Sequence, residues 1–377
     1  MSIVADRAEQ LVKEGRLTEA EQLFAQAVIG RQDPEAMNEF GWFLLQTGRL
    51  SYSESVFERL KRLAEAAGND RWTAVALSGL GQVHDRLDQY EQAEREMRRS
   101  ADLFLEEGDS ANAAGVLSNL ASVYVKKREF DRAETALLEA LTNYEELGQS
   151  SQAAVVRGNL GVVYLRKGNL DKAEELLLGA ASVFQGHEMS QEFASQLANL
   201  ATINRRRSLF DEADAKLRHA TEIYERLGLE PEIVGTLLSR SSVSFDRGAF
   251  AEAEDLLYDA LEREGKISRP QVLTDIYMGL SRALEYRGEY EEAERLLRSA
   301  IGLSERFGLW HHVATGYAKL GRLFAGQGQI PPAREFLRAA EQGFEAIAAH
   351  EEAEQIRKAL HALPDGERMS AQSSMAT

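Results

Sequence analysis

Three stretches of the sequence align without gaps: SNLASVYVKKREFDRAETALLEAL at residues 118–141, GNLGVVYLRKGNLDKAEELLLGAA at 158–181 and ANLATINRRRSLFDEADAKLRHAT at 198–221. Each begins forty residues after the one before it. The pattern continues in both directions and defines nine units, with turns near residues 15, 48, 88, 128, 168, 208, 248, 288 and 328. Such a period is typical of a repeat array, in which stacked neighbours share a continuous core.

Each unit predicts two helices. In the fourth unit, Leu120 and Tyr124 recur at helical spacing before the turn, and Ala133, Leu137 and Ala140 share one face after it. The position five residues after the turn holds alanine in eight of nine units: Ala20, Ser53, Ala93, Ala133, Ala173, Ala213, Ala253, Ala293 and Ala333. Another small residue, such as Gly161, stands seven residues before the turn. Small residues at these places let two helices approach closely.

These residues resemble the tetratricopeptide repeat (TPR) family. The fifth unit carries that family's pattern as Leu160, Gly161, Tyr164, Gly168, Ala173, Leu177 and Ala180. The forty-residue length and the NLG or NLA signature are similar to the long-helix repeats of kinesin light chains and Pins-type adaptors. The resemblance implies an all-α helix-turn-helix solenoid of about nine repeats, wound into a right-handed superhelix. We expect the array at residues 1–350, a capping helix at 351–363 and a disordered tail at 364–377.

The composition narrows the classes of function. The 377 residues carry a formal charge of −17, which argues against a general binder of nucleic acid or anionic membranes. The sequence has no cysteine, which excludes disulfides, thiolate zinc sites and cysteine nucleophiles. The first residues have no signal-peptide pattern, and no apolar run reaches the length of a membrane span. We therefore expect a cytoplasmic protein.

In TPR arrays the first helix of each repeat lines a concave groove. Asn119, Asn159 and Asn199 lie there at forty-residue steps. In the similar adaptors, asparagines at this place hold the main chain of a bound peptide, for which an amide offers both a donor and an acceptor. Small residues, Ser239 among them, leave room for a guest. The alternatives are that the amides satisfy neighbouring helix ends and that the small residues ease superhelical curvature.

A basic stripe departs from the acidic composition. Arg86, Lys126, Arg166 and Arg206 stand two residues before four consecutive turns, and Arg205 supports them. Since guanidinium groups favour carboxylates and phosphates, the stripe predicts an acidic or phosphorylated peptide as the guest. The alternative is that these cations complement the dipoles of the helices that they end.

Trp42 and Leu45 of the second unit are expected to face the groove, whereas Phe40 and Leu44 are needed for the core. An exposed tryptophan beside a leucine could anchor an apolar residue of a partner. The alternative is that Trp42 packs on the short first repeat.

The sixth and seventh units depart from the packing pattern. Asn204 and Ser244 replace the usual aromatic residue, and Arg240 stands where leucine is expected. Because buried polar groups need partners, either this junction is solvated and loose, acting as a hinge, or Arg240 pairs with a nearby acid.

The sequence contains no recognisable catalytic constellation, phosphate loop, dinucleotide fingerprint or metal-ligand spacing. It therefore predicts a non-catalytic scaffold or adaptor that needs no cofactor and captures an acidic segment of a protein or peptide. One alternative is a ligand-responsive TPR regulator that senses a peptide. Others are a scaffold that self-associates near Trp42 and, least favoured, a helical enzyme such as a phosphatase.

Overall fold

The computed structural model describes residues 7, 10–11, 16–31, 33–185, 190–267 and 269–364, which contain eighteen α-helices and no β-strand. The chain divides into two compact units: unit 1 is Met1–Glu188 and unit 2 is Met189–Thr377. Within each unit, the all-α helical-hairpin repeat fold predicted from the forty-residue period is confirmed.

The helices of unit 1 are α1 (Leu17–Arg31), α2 (Pro34–Gln46), α3 (Leu50–Ala66), α4 (Asp70–Arg86), α5 (Tyr90–Glu106), α6 (Ser110–Lys126), α7 (Phe130–Glu146), α8 (Ser150–Arg166) and α9 (Leu170–Phe184). Those of unit 2 are α10 (Gln191–Arg206), α11 (Phe210–Leu227), α12 (Glu230–Arg247), α13 (Phe250–Ile267), α14 (Pro270–Arg287), α15 (Tyr290–Arg306), α16 (Trp310–Gly326), α17 (Ile330–Ala346) and α18 (His350–Ala362). From α2 to α17, even-numbered helices are the first helices of the hairpins and odd-numbered helices are the second.

The two small positions of each repeat lie where the helices of a hairpin meet. All the alanines five residues after a turn are fully buried. Ser53 replaces alanine in the second repeat, and its hydroxyl donates a hydrogen bond 2.8 Å long to the carbonyl of Gly41 on the facing helix. A Cβ atom on Gly81 would lie 2.6 Å from Cγ of Met97. The close approach of the two helices therefore depends on the missing side chain at the first-helix position.

The turns between first and second helices use left-handed backbone geometry. Gly168 has φ of 82°, and the amide of Asn169 after it donates to the carbonyl of Tyr164 at 3.0 Å, which ends α8. Asp88, Arg128 and Ser208 adopt the same geometry although they are not glycines.

Within each unit, every first helix that follows a described second helix contacts that helix as well as its own partner. First helices also contact one another: α4 touches both α2 and α6, α6 touches α8, and in unit 2 α12 touches α10 and α16 touches α14. Each unit thus has a surface composed of first helices, which we call its first-helix face.

The last helix, α18, packs on α17 through Ala353 and Ile356. Pro364 follows it, and its carbonyl accepts a hydrogen bond from Arg334 at 3.2 Å. The rest of the tail predicted at residues 364–377 lies outside the described residues, as does most of the first helix of the first repeat. None of the described helices combines the length and apolarity that crossing a membrane requires.

Candidate functional site

A cavity of about 250 Å³ opens on the first-helix face of unit 1, between α2, α4 and α6. Its walls are formed by Asn38, Trp42, Val75, Ser78, Phe104, Asn112, Gly115, Val116 and Asn119. It brings together two residues that the sequence predicts as binding residues, Trp42 and Asn119. We call it the unit 1 cavity.

Asn38 is the cavity residue that sequence reasoning missed. Its side-chain oxygen Oδ1 is buried and has no hydrogen-bond partner among the described residues. An unsatisfied buried acceptor costs about 1–3 kcal/mol, so a donor from a guest would recover free energy here. The position ten residues before the turn holds Asn38, Ser78 and Ser118 in three successive repeats, and this recurrence of polar residues was the available signal.

Trp42 both packs and lines the cavity. Its half-buried ring meets the ring of Phe57 edge to face, with centroids 5.7 Å apart. Leu45, expected in the groove, is instead only 3% exposed and belongs to the core with Phe40 and Leu44. Phe24 of α1 packs against this core, with its ring 5.5 Å from that of Phe40.

The three asparagines at forty-residue steps share one environment. Asn119 on α6, Asn159 on α8 and Asn199 on α10 are all half-buried. None of their amides makes a hydrogen bond within the described part of the chain. Asn119 and Asn159 lie in unit 1 and Asn199 lies in unit 2. Among the described residues, none of the three amides bonds to a neighbouring helix end, so all three are available to a guest.

The predicted basic residues differ in their partners. Arg86, Lys126, Arg166 and Arg206 are the last residues of α4, α6, α8 and α10, where a cation also offsets the helix dipole. Arg86 and Arg166 are exposed, and within the described residues neither forms an ion pair.

Lys126 is paired: its Nζ lies 2.7 Å from Oδ2 of Asp85 on α4. In unit 2, Nη1 of Arg205 lies 3.1 Å from Oδ2 of Asp246 on α12. Both pairs join one first helix to the next within a unit. A guest carboxylate would have to compete with Asp85 for Lys126.

The neighbouring Lys127 belongs to a different network. Its Nζ lies 3.0 Å from Oε2 of Glu94 on α5, and Arg132 also donates to that carboxylate. Burial acts to raise the pKa of Glu94, but the hydrogen bonds from Arg132 and Lys127 outweigh it and hold the pKa at about 2. These side chains therefore form a structural network that joins neighbouring hairpins.

Ser239 lies in unit 2, on α12, at the edge of a separate cavity. Its hydroxyl donates to the carbonyl of Gly235 at 2.9 Å, within its own helix. Of the other predicted binding residues, Arg205 lines a small neighbouring cavity that Ser239 also borders.

The irregular residues of the sixth and seventh repeats are buried and partly paired. Nε of Arg240 donates to Oδ1 of Asp214 at 2.9 Å, so the second alternative from the sequence, an acid partner, is the one observed. Asn204 is buried, and the hydroxyl of the fully buried Ser244 has no partner within the described residues.

No group of three or more histidine, aspartate and glutamate side chains in the described ranges is arranged to hold a metal ion. The chemistry that the unit 1 cavity offers is recognition, through amide donors and acceptors beside an indole ring.

Three protein-family models match the chain, and all describe the tetratricopeptide repeat. They cover residues 74–99, 112–185 and 273–306. No curated protein matches the sequence significantly.

Several solved structures share the fold at low sequence identity. The apo form of the quorum sensor NprR from B. thuringiensis is 14% identical, with a TM-score of 0.64 over 90% of this chain and 97% of its own. Aspartyl phosphate phosphatase F from Bacillus subtilis is 13% identical, with a TM-score of 0.61 over 91% and 94%. A Rap protein complexed with Competence and Sporulation Factor is 13% identical, with a TM-score of 0.57 over 90% and 99%. At these identities the likeness concerns the fold.

Proposed function

We propose that this chain, which is a tetratricopeptide repeat protein, binds a peptide segment of another protein on the first-helix face of unit 1 and does not act as an enzyme. One observation carries the proposal. The unit 1 cavity holds the buried, unpartnered Oδ1 of Asn38 beside the half-buried amide of Asn119, which makes no hydrogen bond within the described residues.

An extended peptide fits this chemistry because its backbone presents alternating N–H and C=O groups. The amide of Asn119 can donate to a peptide carbonyl and accept from a peptide N–H, and Oδ1 of Asn38 can accept a second N–H. Trp42 and Val75 supply an apolar wall for one guest side chain. Asn159, one repeat further along unit 1, offers the same amide for a longer segment.

The unpaired cations favour an acidic segment. Arg86 and Arg166 end two first helices of unit 1 and are exposed without ion-pair partners among the described residues. A guest carboxylate would gain a charge-assisted hydrogen bond there without displacing an internal one. Lys126 contributes less because Asp85 already holds it. Binding should therefore weaken as salt is added.

A second candidate is a regulator whose conformation responds to its ligand. It is favoured by the shared fold of NprR, a quorum sensor, and of a Rap protein complexed with Competence and Sporulation Factor. Small-angle scattering with and without a selected peptide separates the two candidates. A change in radius of gyration on binding supports a regulator, and an unchanged radius supports a scaffold.

Peptide binding is tested by selection from a random peptide library displayed on phage, with the full chain immobilised. The strongest peptide is then titrated against variants by fluorescence anisotropy. Asn119→Ala and Arg166→Gln should each weaken binding about tenfold. Asn119→Ala removes a neutral hydrogen bond to the peptide, and Arg166→Gln removes a charge-assisted one. Arg95→Gln is the matched control, because Arg95 is an exposed arginine on the second helix α5.

If Asn119→Ala and Arg166→Gln bind the selected peptide as the parent does, the first-helix face of unit 1 is not the binding surface. If the selected peptides are not enriched in aspartate and glutamate, the preference for acid is wrong while peptide binding stands.

A further inference from the structure

Unit 2 has a larger cavity, of about 390 Å³, between the first helices α12, α14 and α16. Its apolar wall includes Leu238, Phe245 and Met278, and its polar wall includes Arg282 and Lys319. A volume of this size, and a wall that combines apolar side chains with converging polar groups, are typical of sites for small ligands. This unit 2 cavity shares no residue with the unit 1 cavity.

Lys319 stands at the repeat position that holds a half-buried asparagine in earlier repeats. Forty-residue steps from Asn199 lead to Ser239, Gly279 and Lys319. Gly279 is held free of a side chain, since a Cβ there would lie 2.9 Å from Leu257. The small residues Ser239 and Gly279 leave space in the cavity, and the longer side chain of Lys319 fits into it.

The ammonium group of Lys319 makes no direct ion pair within the described part of the chain. The residue is half-buried, and within the described residues Lys319 forms neither a hydrogen bond nor an ion pair. Burial lowers the pKa of Lys319, and the positive charges of Arg282 and Arg322 lower it further, against the weaker opposing charges of Glu285 and Asp275. The negative charge of a bound anion would raise the pKa of Lys319 again.

Arg282 is the second cation of the cavity. Its guanidinium lies over the ring of Phe245, 4.4 Å from the centroid, and no carboxylate of the described chain pairs with it. Asp275 is the one acid among the residues that line the cavity, and it lies 3.4 Å from Nε2 of His312. Two cations without ion-pair partners among the described residues therefore line a cavity that also has an apolar wall, in a chain of net charge −17.

We infer that the unit 2 cavity binds the carboxylate of an apolar ligand, with Lys319 and Arg282 on the carboxylate and Leu238, Phe245 and Met278 on the apolar body. A guanidinium fork and an ammonium group match the two oxygens of a carboxylate. The apolar wall accounts for selectivity over a bare anion. Two sources present this chemistry: a medium-chain acid and the C-terminal residue of a peptide that ends in leucine or a similar side chain.

The test uses matched probes on the full chain, followed by ligand-observed saturation-transfer NMR. Octanoate is compared with octanamide, which lacks the charge, and with acetate, which lacks the apolar body. N-acetyl-leucyl-leucine is compared with its C-terminal amide. In each pair the apolar carboxylate should bind about tenfold or more tightly, as expected for a charge-assisted hydrogen bond. The tighter of octanoate and N-acetyl-leucyl-leucine identifies the source.

Lys319→Met keeps the apolar stem and removes the charge. It should weaken octanoate binding about tenfold while binding of octanamide stays the same, and Lys319→Arg should restore most of the affinity. Ser239→Leu fills the cavity without changing any charge and should weaken octanoate and octanamide together. Lys216→Met is the control, since Lys216 lies on the second helix α11 of the same unit.

Three results would overturn the inference: unchanged octanoate binding in Lys319→Met, equal binding of octanoate and octanamide to the parent, or no detectable binding of either acid. Each leaves the proposal for the unit 1 cavity untouched, because no residue of that cavity is altered.

Discussion

Arg240 on α12 donates a hydrogen bond 2.9 Å long from Nε to Oδ1 of Asp214 on α11, and Arg218 lies 2.5 Å from the other oxygen of the same carboxylate. Asp214 is only 3% exposed. Burial acts to raise its pKa, yet the two guanidinium groups outweigh burial and lower the pKa below the ordinary value. A residue that breaks the leucine pattern of its repeat thus neutralises a buried acid at the junction of two hairpins.

Replacement of Arg240 by the leucine that its repeat pattern predicts should destabilise unit 2. Arg240→Leu leaves Asp214 buried with Arg218 alone, so we expect unit 2 to lose about 2–3 kcal/mol of unfolding free energy. The second change Asp214→Asn removes the buried carboxylate charge, so the double variant should regain part of the lost unfolding free energy. Urea unfolding followed by circular dichroism measures both. Equal stability of the single and double variants would show that the carboxylate does not depend on Arg240.

The stability of unit 1 should depend on pH through Glu94. Its pKa is about 2 in the folded protein and near 4.5 in an unfolded chain, so the unfolded state binds the proton more readily. The stability from Glu94 is therefore complete above about pH 5 and is lost as the pH falls towards about 2. Urea unfolding at a series of pH values should show the gap between the parent and Glu94→Gln closing over that range. Glu91→Gln, on the same helix but exposed, should show a much smaller gap.

Phe57 constrains two glycines on different helices. A Cβ on Gly41 would lie 2.5 Å from Cζ of Phe57, and one on Gly79 would also collide with that ring. Gly79→Ala should therefore cost about 2 kcal/mol despite the better helix propensity of alanine. In a Phe57→Leu background the same change should cost less, because leucine can yield where the ring cannot.

A thermal double-mutant cycle measures this coupling between Gly79 and Phe57. Gly179→Ala is the control, since a Cβ there meets nothing within 4 Å. It should leave the melting temperature unchanged or raise it slightly. Additive effects of Gly79→Ala and Phe57→Leu would contradict the proposed contact.

The turn after α17 offers a change that should stabilise the fold. Ala348 has φ of 56°, a left-handed geometry that glycine adopts without strain. Ala348→Gly should raise the free energy of opening of α18 by about 0.5–1 kcal/mol, which slows amide exchange in that helix. Gly328 has φ of 74°, so Gly328→Ala should have the opposite effect and speed amide exchange in α17. The same sign for both would mean that turn geometry does not limit stability here.

Hydrogen exchange also tests the hinge predicted for the sixth and seventh repeats. The Arg240–Asp214 pair ties α12 to α11, whereas the buried hydroxyl of Ser244, which has no partner within the described residues, weakens the packing of α12. If α12 is as protected as α8, the pair compensates for the polar residues and no hinge exists. Faster exchange confined to α12 supports the hinge.

The helical hairpins were predictable because their determinants repeat. Ala93 and Gly81, with a large residue such as Met97 opposite, specify contacts between adjacent helices, and the same close approach recurs between Gly161 and Leu177 and between Gly321 and Leu337. The sequence also placed Trp42 and Asn119 on first helices, and the structure brings them to one cavity.

The chemistry of individual side chains was less predictable. The sequence shows Asp85 beside Arg86, but only side-chain geometry shows that Asp85 takes Lys126 of the next first helix and leaves Arg86 exposed. Lys319 escaped notice because it departs from its neighbours at a repeated position, and Asn38 because the polar character of its position recurs only in the next two repeats. Asn38 and Lys319 matter because their polar groups lack partners within the described residues, and the absence of a partner can be seen only in the folded chain.

The ion pairs between hairpins of unit 1 affect how readily the array can lose a repeat during evolution. Lys126 meets Asp85 and Lys127 meets Glu94, and one period later Arg166 and Lys167 hold the corresponding positions. Loss of the forty residues 95–134, one whole period, would place Arg166 opposite Asp85 and Lys167 opposite Glu94. The partners are thus interchangeable between repeats. A genetic event that removes this repeat would keep a cation opposite both Asp85 and Glu94 at the new junction, so the array can shorten without first evolving a new interface.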